Sequence, residues 1–448
     1  MVLKPITERT PTVDICSSFV QMLQVFSVAM TAPTHATLVE LMSGWVFAPR
    51  RTIMGMLRAG GIERHHSSFH RLFATATWSI DVVGLAVYDL IRKLLPQATV
   101  FLAGDDTLLN RHGLKIFGTG MHRDPLLSSR GFTVVRWGHC WVVLCVVIES
   151  PRNPGRYFAL PILARLYLNK KASKKWNRSY RTKPEMMLEM LRLVQAHDPH
   201  QPLHFLGDCA FTSSSMLSRM PAEIAVTGRI GTNSRIHAPA PPRKEGRGRP
   251  RVRGERLDTP DEMLDSKGLR RVDLKLYDNT HYKVRLAEQT GFLFKAPKRP
   301  VKVVAIEHQR GGRGREVFYS TETSAEATLI LLWFSWRWPI EVTFHDSKQH
   351  LGLGEAENRK TKAVRRTVPT GLLMYSLVIL WHECIRKKPA TRLRKWAGKE
   401  HASFAEMVAA LRADSLDDFK RKHLSTPGIP RAVHKLLKPL EYLIALAA

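Results

Sequence analysis

The chain has 448 residues, enough for two or three domains around a sizeable core. Lys and Arg number 69 against 39 Asp and Glu, a formal charge of +30, and such an excess repels itself unless a polyanion is the partner, so nucleic acid stands first and an anionic membrane surface second. The longest unbroken apolar run, Cys140 to Ile148, is too short to span a bilayer, and five scattered cysteines with no C-x-x-C pair argue against structural zinc and for a reducing cytosol.

Residues 1–95 read as a helical region. Its apolar stretch from Phe19 to Met30 is interrupted by Gln21, Gln24 and Ser27 and reads as a buried amphipathic helix rather than a signal peptide. After Ala48-Pro49-Arg50-Arg51-Thr52, the residues Ile53, Met56 and Leu57 have helical spacing up to Gly60-Gly61. Phe69, Leu72 and Phe73 form the stripe of a second short helix. Two such helices with a glycine turn between them suit a helix-turn-helix, with Arg50 and Arg51 as DNA contacts. A plain helical bundle with solvated basic residues has the same pattern.

Near residue 98 the hydrophobic period changes. Thr99 to Ala103 reads as a buried strand closed by Gly104-Asp105-Asp106-Thr107. The β-rich runs Phe132 to Ile148 and Tyr157 to Leu168 should form a hairpin. A lysine-rich loop follows, then a helix from Pro184 to His197, a strand from Leu203 to Leu206 ending at Gly207-Asp208, and a strand from Ile224 to Thr227. Asp208 and Glu341 are about 130 residues apart, too far for a loop. The segment between them has β-like pieces at Val272–Tyr277, Tyr282–Leu286, Val301–Ile306 and Glu316–Tyr319, and reads as a β-rich insertion domain over 231–322. Within it Arg247-Gly248-Arg249-Pro250-Arg251 looks like an AT-hook core for an A·T minor groove, and equally like a flexible basic linker. From Val368 an all-round apolar helix is expected, and 391–448 reads as a small helical region.

The most informative stretch is Phe334-Ser335-Trp336-Arg337-Trp338-Pro339-Ile340-Glu341, followed by Lys348. Its offsets of 3, 4 and 7 put Phe334, Arg337, Glu341 and Lys348 on one helical stripe. Pro339 suits a first turn, which leaves Phe334 and Arg337 just ahead of the regular helix. A carboxylate between an Arg and a Lys suits a metal ion held beside a phosphodiester.

This spacing resembles the Y-R-E-K signature of bacterial insertion-sequence transposases with a DDE active site, of the cut-and-paste type, with Phe334 standing where the family usually has Tyr. The resemblance implies an α/β architecture: an RNase H-like mixed five-stranded sheet over 96–230 and 323–390, interrupted by the β-rich insertion and flanked by helical N-terminal and C-terminal regions. Asp105, Asp208 and Glu341 match its catalytic, metal-holding acids. Asp106 is the rival to Asp105, and side-chain alternation alone does not decide between them. Three carboxylates offer the hard oxygen ligands that two Mg²⁺ ions need, with Mn²⁺ as a substitute. Arg337 and Lys348 would contact phosphates, with Arg247, Arg249 and Arg251 as further DNA contacts.

The implied activity is cleavage at the ends of an insertion sequence and transfer of the 3′-hydroxyl into target DNA. Its partners would be inverted-repeat ends, target DNA and, in synapsis, a second copy of the chain, in the cytoplasm with the nucleoid. The rival readings are an RNase H-like endonuclease without strand transfer and a non-catalytic DNA-binding protein derived from a transposase.

Overall fold

The computed structural model describes residues 15–124, 127–129, 131–242, 251–266, 269–276, 280–308, 314–388 and 399–423. Five α-helices come first: α1 (Ser17–Leu23), α2 (Ala32–Phe47), α3 (Ile53–Ala59), α4 (Ser67–Ala74) and α5 (Ile80–Leu94). Then come strands β1 (Val100–Asn110), β2 (Gly120–Arg123), β3 (Val135–Glu149) and β4 (Tyr157–Tyr167), and helices α6 (Lys170–Lys175) and α7 (Lys183–His197). Strand β5 (Leu203–Gly207), helix α8 (Ser214–Leu217) and strand β6 (Ile224–Ile230) follow. The next segment holds β7 (Ile236–His237), β8 (Arg256–Leu257), α9 (Pro260–Asp265), β9 (Arg270–Leu276), β10 (Thr280–Leu293), β11 (Pro300–His308) and β12 (Arg315–Ser320). The described chain ends with α10 (Ala327–Ser335), α11 (Pro339–His350), α12 (Thr361–Leu380) and α13 (Phe404–His423). Of the expected C-terminal helical region, 391–398 and 424–448 lie outside the described residues.

At the centre, β4, β3, β1, β5 and β6 lie side by side in that order. The pairs β4/β3 and β3/β1 are antiparallel, whereas β1/β5 and β5/β6 are parallel. The parallel joins require crossovers, supplied by α7 between β4 and β5 and by α8 between β5 and β6. Helix α7 starts cleanly because Thr182 and Glu185 form a reciprocal capping box. The strands of the 231–322 segment extend the same sheet: β12 pairs antiparallel with β6, Val317 opposite Ile230, and β11 and β10 continue outward.

Both faces of the central sheet are covered, so β3 reads as a nearly unbroken apolar run. Alternation sends Leu102, Val142, Leu144 and Val146 into one core with Val83 and Val87 of α5 and Met187 and Met190 of α7. The opposite set, Ala103, Trp141, Val143 and Cys145, meets Ile340 and Phe344 of α11 and Val368 and Leu372 of α12. Among the described residues one helical span, Thr361–Ile385, is long and apolar enough to cross a membrane, and 83% of its apolar window is buried inside the protein, as in a core helix.

The N-terminal helices are fastened to this body. Gly44 lets α3 cross α2 closely, since a Cβ there would lie 1.9 Å from the Met56 carbonyl oxygen. The turn after α3 uses Gly61 at φ +62°. Buried Arg366 of α12 donates to the carbonyls of Phe73 at 3.2 Å, Ala76 at 2.7 Å and Trp78 at 2.5 Å, with its guanidinium over the Trp78 ring. One side chain thus satisfies three backbone acceptors at the end of α4. Arg366→Leu should cost about 3 kcal/mol by stranding them. A urea unfolding curve reads this as a lower midpoint at unchanged slope, and a wild-type midpoint would contradict the clamp.

Candidate active site

Asp105 lies in the middle of β1, where the sequence places it at a strand end. The difference arises because β3 pairs with β1 all the way to Asn110, whereas β5 stops at Gly207. Gly104 pairs with Gly207, so Asp105 and Asp208 are the next residues beyond the paired stretch and stand where the two strands part. The turn after β5 is shaped by Asp208, whose Oδ1 accepts from the backbone N–H of Ala210 at 3.0 Å and of Phe211 at 3.3 Å.

Glu341 approaches from the helices. The segment Trp336–Trp338 turns between α10 and α11, Pro339 opens α11, and Glu341 sits in its first turn, where the helix dipole favours a carboxylate. Arg337, in that turn, joins helix to strand. Its Nη1 donates to Asp105 Oδ2 at 2.7 Å and its Nη2 to Glu341 Oε1 at 3.0 Å. The Arg337 side chain is only 13% exposed. Burial works against its charge, but the Asp105, Glu341 and Asp208 carboxylates outweigh that and raise its pKa. The Asp105 carboxyl is pushed up to about 6, mainly by burial; Arg337 acts in the opposite direction, and nearby Asp208 adds to the rise.

Asp106 points to the other face of the sheet. It accepts from Lys183 Nζ at 2.6 Å and from Cys140 Sγ at 3.3 Å. Alternation along β1 separates the two rival acids, and Asp105 is the one that faces Arg337 and Asp208.

Of the remaining residues singled out in the sequence, Phe334 lines the same cleft with the Arg337 guanidinium 5.7 Å from its ring centroid, and the others are dispersed. Phe334 is buried on α10 with its ring centroid 4.7 Å from that of Phe318, so it belongs to the core under the site. Lys348 is exposed two turns along α11 from Glu341, with Asp124 near it. Arg50 is exposed and pairs with Glu357 at 3.3 Å. Arg51 is half-buried with its guanidinium over Trp45. Arg251 is exposed, and Arg247 and Arg249 lie outside the described residues.

Sequence spacing gave no hint of Arg229 and Arg315. The pairing of Gly207 with Gly228 brings Arg229 level with Asp208, and the pairing of β12 with β6 brings Arg315 alongside. Together with Asp208, Glu316, Glu341, Arg337 and Trp338 they line an open cleft of about 780 Å³, where Arg229 pairs with Glu316 at 3.0 Å and Arg315 with Asp261 at 3.2 Å and Glu307 at 3.1 Å. Only strand pairing reveals this, since neither arginine belongs to a motif.

The donor set is carboxylate oxygen, suited to a hard divalent cation. Among the described residues, no three His, Cys, Asp or Glu side chains stand in a metal-ligating group. The positive charge between Asp105 and Glu341 is instead the Arg337 guanidinium, which stands in for a cation there. The residues fit the metal in chemistry and in the sign of the charge they gather.

A mixed α/β fold with a large mixed sheet and several helices is consistent with an RNase H-like DDE fold. The family model described as DDE superfamily endonuclease matches residues 22–282, more than half of the chain, and the chain belongs to that family. The matched span contains Asp105 and Asp208; Glu341 lies beyond it. No curated protein matches the chain. Membership carries a nuclease or transposase function with DNA as substrate, in a family that generally uses divalent metals.

The raised Asp105 pKa has a signed consequence. A carboxyl with a folded-state pKa near 6 contributes stability that is fully present below its unfolded value, about 4, and lost as pH rises through about 6. In EDTA, urea midpoints measured across that window should fall less for Asp105→Asn than for wild type. Parallel curves would show that Asp105 does not titrate there.

Proposed function

We propose that the chain is an insertion-sequence transposase that cleaves DNA at the ends of its element and joins the exposed 3′-hydroxyl to target DNA. The observation that carries this reading is the convergence of Asp105, Asp208 and Glu341 on one buried guanidinium, in a cleft that also holds Arg229 and Arg315. Asp105, Asp208 and Glu341 would hold two Mg²⁺ ions, with Mn²⁺ able to replace them. Such ions supply activation of the attacking oxygen and stabilisation of the leaving oxygen in an in-line displacement at phosphorus.

Each protein group has a distinct task. Arg337 keeps the carboxylates close together before they are needed, offsetting the repulsion between them. When they take another cation, its two Nη groups become free to grip a phosphate of the bound strand. Arg229 and Arg315 line the wall along which that strand would run, and Lys348 meets phosphate further along α11. The N-terminal helices, with Arg50 at their surface, would hold the inverted-repeat end. Two ends must meet, so the working unit would be a homodimer on DNA, acting in the cytoplasm with the nucleoid.

A second reading, DNA cleavage without joining, is favoured by the endonuclease description of the family itself. Duplexes carrying the element's inverted repeats separate the two. Wild type should cut them only with Mg²⁺ or Mn²⁺, and Asp105→Asn, Asp208→Ala and Glu341→Ala should each lower the rate by about a thousandfold or more. Asp106→Asn should stay within about tenfold of wild type, because it lies on the opposite face. Pre-cut ends should then be joined to a target plasmid. Cutting without joining would leave the endonuclease, and full activity in Glu341→Ala would end both readings.

A further inference from the structure

The positive charge of the chain is unevenly spread. No Asp or Glu occurs over 107–123, 150–184 or 358–382, and the fold brings parts of all three stretches together around buried Phe117. The Phe117 backbone N–H donates to the Arg359 carbonyl at 3.1 Å, its ring centroid lies 5.3 Å from that of Trp176, and the Arg365 guanidinium stands 5.4 Å from it. Lys175 Nζ donates to the Leu114 carbonyl at 2.9 Å. Around this hub Lys170, Lys171, Lys174, Arg178, Lys362 and Arg365 are exposed. The acids at hand are already engaged: Asp81 and Glu189 pair with Arg165, Glu189 also with Arg181, and Asp106 with Lys183. Among the described residues none of the six exposed cations forms an ion pair. The Arg365 pKa is lowered by burial and then by Arg178, Arg165 and Arg181, the mark of cations crowded without an acid between them. Such a surface repels itself until a polyanion covers it.

Its place in the fold relates it to the acids. Strand β4 runs in the same direction as β1, with β3 between them, so its exit into α6 lies at the same end of the sheet as Asp105 and Asp208. Leu108, just past Asp105, and Tyr167, the last residue of β4, both pair with Cys140. The cleft with Arg229 and Arg315 opens on the β6 side of the acids, and the patch lies on the β4 side. In the cleft both arginines are paired with carboxylates, whereas the six cations of the patch are not. The unneutralised charge next to the site is therefore on the patch.

The chemistry of the patch favours backbone contact over base reading. Most of its cations are lysines, which meet phosphate as point charges without the fork that grips a base edge. Helix α6 has only six residues, too few for a recognition helix laid in a groove. An element end has to be recognised by its sequence, whereas DNA that receives the 3′-hydroxyl can be held by its backbone alone. We infer that this patch binds the target DNA duplex through its phosphates. The word target rests on the joining reaction proposed above; duplex binding by the patch does not.

The test compares wild type with the triple variant Lys171→Glu, Lys174→Glu, Lys362→Glu in the full chain, with circular dichroism to check folding. All three side chains are exposed, so the fold should survive. Binding to a duplex without inverted repeats is measured in EDTA across a salt series. The slope of log affinity against log salt should be smaller by about 3 in the variant, about one for each lost phosphate contact. In Mg²⁺, the variant should cut inverted-repeat duplexes within about threefold of wild type and join pre-cut ends to a target plasmid about tenfold less well or worse. An unchanged slope and unchanged joining overturn the inference while leaving the transposase reading intact. Equal loss of cutting and joining overturns the target assignment and gives the patch to the element end. Binding of phosphatidylserine vesicles in preference to DNA, lost in the variant, overturns it in favour of a membrane. If wild type cuts without joining, the joining reading fails and the target assignment with it, and the salt slope alone then reports whether the patch holds a duplex.

Discussion

The ion pairs of Arg337 hold the centre of this protein together. Asp105 and Arg337 are 232 positions apart in the chain, yet a single 2.7 Å bond joins the middle strand to the turn before α11. The second bond, to Glu341, stays within that turn and the first turn of the helix. Carboxylates brought into one cleft repel one another, and the guanidinium offsets this at the point where they meet. The result is a site in which the acids are gathered around one buried guanidinium.

The sheet makes that meeting geometrically unavoidable. Parallel pairing of β1 with β5 sets Asp105 and Asp208 beside each other at the point where the strands part, and the opposite alternation sends Asp106 to Lys183. Pairing of β6 with β12 then lays the 231–322 strands along the same sheet and brings Arg315 of β12 to the cleft beside Arg229 of β6. The cleft therefore carries carboxylates and guanidiniums in equal number, Asp208, Glu316 and Glu341 with Arg229, Arg315 and Arg337.

The N-terminal helices are bound to this body rather than tethered beside it. Arg366 reaches three carbonyls after α4, and Arg412 of α13 donates to the Val46 carbonyl at the end of α2. Between these fastenings an apolar cavity of about 710 Å³ remains. A region that the sequence presents as a DNA-binding element is thus also part of the core, fastened to α12, which packs with α11 on the face of the sheet that Asp105 points to.

Much of this was legible in the sequence, and the reason is local. β-rich runs marked β3 and β4, Pro184 marked the first turn of α7, and Pro339 marked the start of α11, because these signals depend on backbone geometry within a few residues. The offsets among Arg337, Glu341 and Lys348 likewise needed only the helical repeat. The choice between Asp105 and Asp106, the place of Asp105 in mid-strand, the joining of β12 to β6 and the roles of Arg229 and Arg315 were decided by tertiary structure alone. Each depends on which strands pair and in what register, and pairing between segments tens to hundreds of residues apart leaves no periodic trace in either one.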